Sequence, residues 1–312
     1  MMAIATAMRH GLAKVLAHKR LVLLLWLVNL ALALPAAWLM KDALEGSIGA
    51  SLVHEKMRHG FDMAWFHEFE SNARGLETTF NPSVSGAGPF YGNAEAWLTG
   101  RMFGSLPSLV ALGVLQAVIW AFLLGGVLEI YGRRPGRTTF FAAAGKYFVR
   151  LIKLAIVSGP LYFLVYRLTA WLFQTIHRLG RDVTVERTLL AYALAAAALG
   201  ALLLVAINMV FDYAKIALVV GEKDGVLAAL RDALRFVRKR PLKTFGLYLG
   251  LAAIGVALLA LYALVGPGGR QSSVAGVAFA FVFSQVFLIV KLGLRLTFYG
   301  SQVALYSKDR TP

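Results

Sequence analysis

Four charged side chains lie at the ends of long apolar stretches, where a charge costs several kcal/mol unless it is paired or close to the membrane surface. Glu129 and Asp212 end two of these stretches. Lys291 and Arg295 follow a third stretch at a spacing of four residues, which places both bases on one face of a helix. Because the acids and bases arrive at a similar depth, we predict an intramembrane charge cluster of Glu129, Asp212, Lys291 and Arg295.

Three interpretations of this cluster follow from its chemistry. It is an ion-pair clamp that fixes the register of the helices, a path for a substrate or proton, or a set of side chains that extend to the membrane surface. Four polar residues inside the apolar stretches help to distinguish transport from scaffolding, because a water-filled cavity lined by them favours transport and a dry core of small residues favours a scaffold. They are Asn29, Gln116, Asn208 and Gln285.

Signatures of enzymatic and metal chemistry are missing from the sequence. The chain has no cysteine, which excludes thiol catalysis and cysteine-ligated metal centres. His54, His59 and His67 are spaced so that no two share one helical face, so we predict a solvated helix surface there and no metal site. His-Glu-x-x-His, Gly-x-Ser-x-Gly and phosphate-loop patterns are also absent. We therefore expect no cofactor and favour a non-enzymatic protein.

The composition explains how these side chains are positioned. Of 312 residues, 59% are hydrophobic and only 15% are charged, which is typical of an integral membrane protein. A membrane-spanning helix needs about 20 mainly apolar residues, and six stretches satisfy this length. They are residues 21–40, 107–128, 154–176, 188–211, 244–269 and 271–290. We predict an all-α bundle of six spanning helices with both termini on one side.

The distribution of Lys and Arg predicts the orientation of the bundle. The net charge is +16, and most of the 32 Lys and Arg residues flank the same ends of the spans as the N-terminal segment. By the positive-inside rule this predicts cytoplasmic N- and C-termini. The excess positive charge then faces the inner leaflet, so the expected partner is anionic lipid and not nucleic acid.

A basic amphipathic stretch precedes the first, third and fifth predicted spans. The tripeptide Phe-Val-Arg occurs in two of them, at 148–150 and 236–238, and the spacing of Arg9, Leu12 and Val15 recurs at 231–237. These matches favour a unit of an interfacial helix and a membrane hairpin that occurs three times. The third stretch also supplies the candidate contacts to anionic lipid, which are Arg231, Arg235, Arg238, Lys239 and Arg240.

We predict one integral membrane domain over residues 1–312, with residues 41–106 as an extracytoplasmic loop subdomain inside it. Phe61, Trp65 and Phe69 recur every four residues, which predicts a helix at the outer membrane interface. Residues 81–89 are rich in Pro, Gly and Ser and predict irregular structure.

The layout of a basic amphipathic helix before each hairpin, with Asp212-Tyr213-Ala214-Lys215 leading into residues 225–240, resembles two groups of proteins. One is a group of uncharacterised six-span bacterial membrane proteins, and the other is the membrane domain of some glycerophosphodiester phosphodiesterases. The resemblance covers residues 212–265 and is architectural. It implies a multi-pass protein of the bacterial inner membrane. The catalytic barrel of those phosphodiesterases is absent, so their activity is not implied.

Together these patterns predict a non-enzymatic polytopic inner-membrane protein, either a permease-like subunit or a scaffold for envelope assembly. The alternative is a transporter of lipids or small molecules, or a membrane-embedded enzyme acting at the inner leaflet. Other membrane proteins or further copies of this chain are the expected protein partners.

Overall fold

A computed structural model describes residues 4–49, 61–80, 88–100, 107–132, 139–180, 186–267 and 273–308, and these residues form ten α-helices, one short 3₁₀ helix and no strand. The helices are α1 Ile4–Ala17, α2 Lys19–Gly49, α3 Met63–Asn72, α4 Gly88–Leu98, α5 Pro107–Gly132, α6 Phe140–Leu179, α7 Glu186–Val219, α8 Val226–Lys239, α9 Pro241–Val265 and α10 Val274–Lys308. The predicted all-α class is confirmed.

Six of these helices, α2, α5, α6, α7, α9 and α10, are long and apolar enough to cross a membrane, and each contains one of the predicted spans or most of it. The chain is therefore a polytopic membrane protein. Several helices run beyond the hydrocarbon length. With 40 residues, α6 is about 60 Å long, because its amphipathic first turns continue into the span without a break. The helix α10 runs to Lys308, which is 18 residues beyond the end of the predicted span.

One end of the bundle is built from α1, the first turns of α6, α8 and the last turns of α10, and we call it the basic end. Each of the three amphipathic segments there buries a stripe of residues at i, i+4 and i+8, which is one face of a helix. The stripes are Ala7, Gly11 and Val15 in α1, Ala143, Tyr147 and Leu151 in α6, and Ala229, Ala233 and Val237 in α8. The alignment of α6 with α8 that superposes these stripes differs by two residues from the alignment that superposes the two Phe-Val-Arg tripeptides.

The three segments alternate with spanning helices around the basic end. The most extensive pairings are α5 with α6, α10 with α1, α6 with α7 and α7 with α8, so the last helix of the chain packs against the first. Glycines permit the α10–α1 contact, because a Cβ atom on Gly11 would lie 2.1 Å from Ser301 Oγ and one on Gly300 would lie 3.0 Å from the Gly11 Cα. The helix α5 uses Gly125 in the same way against Ala144.

Side chains of the amphipathic segments also bind the ends of spanning helices. The Lys14 ammonium donates to the Tyr131 carbonyl in the last turn of α5, where positive charge is favoured by the helix dipole. Burial lowers the pKa of Lys14. Arg150 of α6 donates to the Lys223 carbonyl beyond α7 at 3.4 Å, and the Tyr306 hydroxyl of α10 donates to Asp232 of α8 at 2.6 Å.

The segment between α2 and α5 contains an aromatic cluster. Trp65 and Phe69 of α3 stack at 5.4 Å, Phe80 meets Phe69 edge-on, and the Trp65 indole donates to Ser47 near the end of α2. The predicted helix is present from Met63, so Phe61 precedes it. The prediction of irregular structure over 81–89 is wrong at its end, because α4 begins at Gly88; residues 81–87, His54 and His59 lie outside the described part.

Candidate functional site

A cavity of about 620 Å³ lies among α7, α9 and α10, with Asn29 contributed by α2. Three of the four residues of the predicted charge cluster line it, namely Asp212, Lys291 and Arg295. The remaining polar lining comes from Asn29, Asn208, Lys215, Tyr248 and Tyr299. The cavity therefore carries three cationic side chains and one carboxylate.

The carboxylate of Asp212 pairs with a base on its own helix. Its Oδ1 lies 2.8 Å from the Lys215 Nζ, and the two side chains are 12% and 28% exposed. Asp212 belongs to the predicted charge cluster, whereas Lys215 was not predicted to belong to it. The signal was present, because residues three apart on a helix are neighbours and an Asp–Lys pair at that spacing is a common ion pair.

Arg295 lies over the ring of Trp120 on α5, with its guanidinium carbon 3.7 Å from the ring centroid. Both Lys291 and Arg295 are solvent-accessible side chains on the cavity wall. Glu129 is buried, at 4% exposure, and is not among the residues that line this cavity. It lies nine residues beyond Trp120 along α5, about 13 Å closer to the basic end. The pairing of Glu129 with Lys291 or Arg295 stays a prediction.

A second cavity of about 320 Å³ lies between α5, α6 and α7 on the other side of Lys215 and Arg295, and both of these residues line it as well. Gln116, Ser158 and Tyr162 supply the rest of its polar lining. Two cationic side chains therefore separate two cavities within the bundle.

The four polar residues singled out in the apolar stretches hold the spans together across this region. Gln116 donates to Asn29 at 3.1 Å, which joins α5 to α2. Asn208 accepts from the Tyr162 hydroxyl, which joins α7 to α6. Gln285 accepts from the Trp26 indole at 2.9 Å, which joins α10 to α2. Asn29 and Asn208 line the larger cavity and Gln116 the smaller, whereas Gln285 lines neither.

Anion binding is the chemistry that this arrangement supports. The lining of the larger cavity carries three cationic side chains and one carboxylate, and ammonium and guanidinium groups bind carboxylate or phosphate oxygens through charge-assisted hydrogen bonds. Within the described part of the chain, no group of three His, Cys, Asp or Glu side chains could hold a metal ion.

The candidate lipid contacts form a separate surface on α8. Arg231, Arg235, Arg238 and Lys239 are exposed, and with Leu234 they surround a recess of about 360 Å³. Arg240 lies at the junction with α9 and is partly buried.

No protein-family model matches this chain, and no curated protein or solved structure is similar to it.

Proposed function

We propose that this polytopic membrane protein is a non-enzymatic, permease-like protein of the bacterial inner membrane that binds an anionic ligand in the larger cavity. The observation that carries the proposal is the charge of the cavity, since Lys215, Lys291 and Arg295 face one carboxylate. Cationic side chains at membrane depth are costly unless they pair with anions or face a water-filled space. An anionic ligand offsets this cost, which gives the site its specificity.

Polar lining favours transport over a purely structural role. A scaffold is expected to have a dry core of small residues, whereas the lining of both cavities here includes amide, hydroxyl and charged groups among its apolar residues. Lys215 and Arg295 are accessible from both cavities, so an anion held by them in one cavity remains within reach of the other. This is the arrangement that a permease-like protein needs at a central site.

Binding to the purified protein in mild detergent tests the proposal. We expect glycerophosphate, a soluble anionic probe, to raise the melting temperature, because a ligand that binds only the folded state stabilises it. Replacing Lys291 and Arg295 together by Gln should lower the affinity at least tenfold. Lys146→Gln is the matched control, because Lys146 is an exposed base of α6 that lines neither cavity. Equal affinity in all three proteins, or none in the wild type, would contradict the proposal.

The basic surface of α8 is proposed as a contact to the anionic inner leaflet. Its exposed guanidinium groups project away from the buried stripe of Ala229, Ala233 and Val237, as expected for a helix that lies on a charged membrane surface. This placement requires the basic end to face the cytoplasm, in agreement with the positive-inside rule.

We also infer that the chain contains three copies of one unit, each with an amphipathic segment followed by two spans. The buried stripes that begin at Ala7 and Ala143 support this, and so does a second observation. Lys14 and Arg150 occupy the same position relative to these stripes, and each donates to a carbonyl in the last turn of, or just beyond, the second span of its own unit.

A further inference from the structure

The burial of the spanning helices changes sharply along the bundle axis. In α5, nine of the 11 residues at positions 121–131 are buried, whereas none of residues 111–120 is. The other spans change in the same sense. Within their described ranges, α9 buries no residue after Leu251, α10 buries none before Leu292, and α2 buries none beyond its seventh residue. The helices are therefore packed towards the basic end and separate from one another towards the opposite end.

These changes occur at a similar depth in different helices. Arg295 of α10 lies over Trp120, which immediately precedes the buried part of α5. Tyr248, three residues before the last buried position of α9, meets Phe298 of α10 edge-on at 4.7 Å. On the basic side of this depth lies a packed layer of residues 121–131 of α5 and the adjoining last turns of α7 and α10. We call this layer the seal, and along α5 it is about 15 Å thick.

The centre of the seal is apolar and fully enclosed. Leu128 of α5, Ala217 of α7, and Leu296 and Val303 of α10 each have 0% exposure. A hydrated anion cannot pass through such a layer, because it would lose its water without gaining partners for its charge. The seal therefore separates the cavities from the basic surface of the bundle.

Both cavities begin where the seal ends. The lining of the larger cavity includes Leu251 and Leu292, and that of the smaller includes Ala121 and Leu154, which are the outermost buried residues of α9, α10 and α5 and the last before an unburied stretch of α6. Among the described residues, none of α3, α4 or the 3₁₀ helix lines either cavity. Because the seal bounds both cavities on the basic side, their openings lie on the other side.

Polar side chains line the cavities about one helical turn beyond the seal. Gln116 and Ser158 line the smaller cavity, and Asn29 lines the larger one. Amide and hydroxyl groups are costly in hydrocarbon but not beside water. The hydrogen bond from Gln116 to Asn29 and the one from Trp26 to Gln285 also brace α2 against α5 and α10, which narrows the gaps between these spans. This lining favours water over lipid in the cavities.

We propose, resting on the proposed function, that the chain is in an outward-open state. The anion enters the larger cavity through water from the extracytoplasmic side, and the seal is the closed gate on the cytoplasmic side. Release into the cytoplasm then requires the helices of the seal to separate, as alternating access to one central site demands.

Thiol labelling of the full-length protein tests the entry side. The chain has no cysteine, so single-cysteine variants need no prior substitution. A membrane-impermeant maleimide is added to right-side-out or inside-out membrane vesicles. Ser158→Cys and Ala252→Cys place a thiol in the smaller and the larger cavity, and both should react only from the extracytoplasmic face.

Two control variants mark the basic end and the seal. Lys146→Cys, at an exposed position of α6, should react only from the cytoplasmic face. Val127→Cys, at a position with 1% exposure in the seal, should react from neither face until the protein is unfolded. Glycerophosphate at about ten times its Kd should slow labelling of Ala252→Cys about tenfold, because only empty sites react, and leave Lys146→Cys unchanged.

The outcomes separate the two proposals. Labelling of either cavity thiol from the face that labels Lys146→Cys would overturn the outward-open state, and so would labelling of Val127→Cys in the folded protein. Absence of labelling from both faces would also overturn it, because the cavities would then hold no water that is continuous with the outside. Labelling from the expected face without protection by glycerophosphate would contradict the anion site and leave the entry side standing.

Discussion

The basic end and the membrane half of the bundle are packed by different forces. At the basic end the last turns of α7 are fully enclosed, with Ile216, Ala217 and Leu218 at 0% exposure. In the membrane half only 6% of the most apolar stretches of α9 and α10 is buried inside the protein. Amphipathic helices next to water gain free energy by burying their apolar stripe, whereas apolar side chains in hydrocarbon gain little from each other. The cavities therefore occur where this drive is weak.

The first prediction tests which side of the membrane the basic end faces. A reporter fused after Pro312 and another inserted near Gly86 should lie on opposite sides of the membrane, the first in the cytoplasm, because the basic end carries the excess Lys and Arg. Protease protection or a topology-sensitive reporter enzyme measures this. A cytoplasmic signal at Gly86 would contradict both the predicted six-span topology and the proposed contact of α8 with lipid.

The second prediction concerns the close contact between α1 and α10 at the basic end. Gly11→Leu should destabilise the protein by about 3 kcal/mol or more, because the side chain cannot fit between α1 and α10 without separating them. Thermal unfolding in mild detergent measures the loss. Gly145→Ala is the matched control in an amphipathic segment, since nothing lies within 4 Å of its Cβ position, and it should be neutral or slightly stabilising. Equal losses would show that the close contact of Gly11 does not matter.

The third prediction concerns the ion pair of Asp212 and Lys215 beside the two cavities. Asp212→Ala and Lys215→Ala should each lower the free energy of unfolding by about 2 kcal/mol, because each leaves a partly buried partner without its ion pair. The double substitution should cost less than the sum of the single ones. The same cycle with Asp212 and Arg295 should show weaker coupling, since Arg295 has its contact with Trp120. Additive losses in both cycles would mean that Asp212 contributes no pairing.

The fourth prediction has the smallest effect for each residue changed. Neutralising one exposed base of α8, such as Arg235→Gln, should weaken retention of anionic lipid by about 1 kcal/mol at low salt, with no change in thermal stability. Native mass spectrometry of the purified protein with phosphatidylglycerol and phosphatidylcholine gives the comparison. Leu227→Gln, an exposed apolar position on the same helix, is the control. A loss of stability without a loss of lipid would assign Arg235 a structural role.

The spans were predictable because their signal is local, and α7 and α9 depend only on the length of an apolar run. Three charged and two amide residues of the larger cavity were also predictable, because polar side chains such as Lys291 stand out in apolar sequence. The contact of Arg295 with Trp120 was not, since it joins two helices 175 residues apart in the chain.

The contact between Gly11 and Gly300 has a consequence for biogenesis. These residues are 289 positions apart, so at about 5–20 residues per second a ribosome needs roughly 15–60 s to produce the second after the first. Throughout that interval α1 is without its main docking partner. Its packing on α10 is therefore a late step of membrane assembly, and a chain stalled before the last span leaves the stripe of Ala7, Gly11 and Val15 without its main cover.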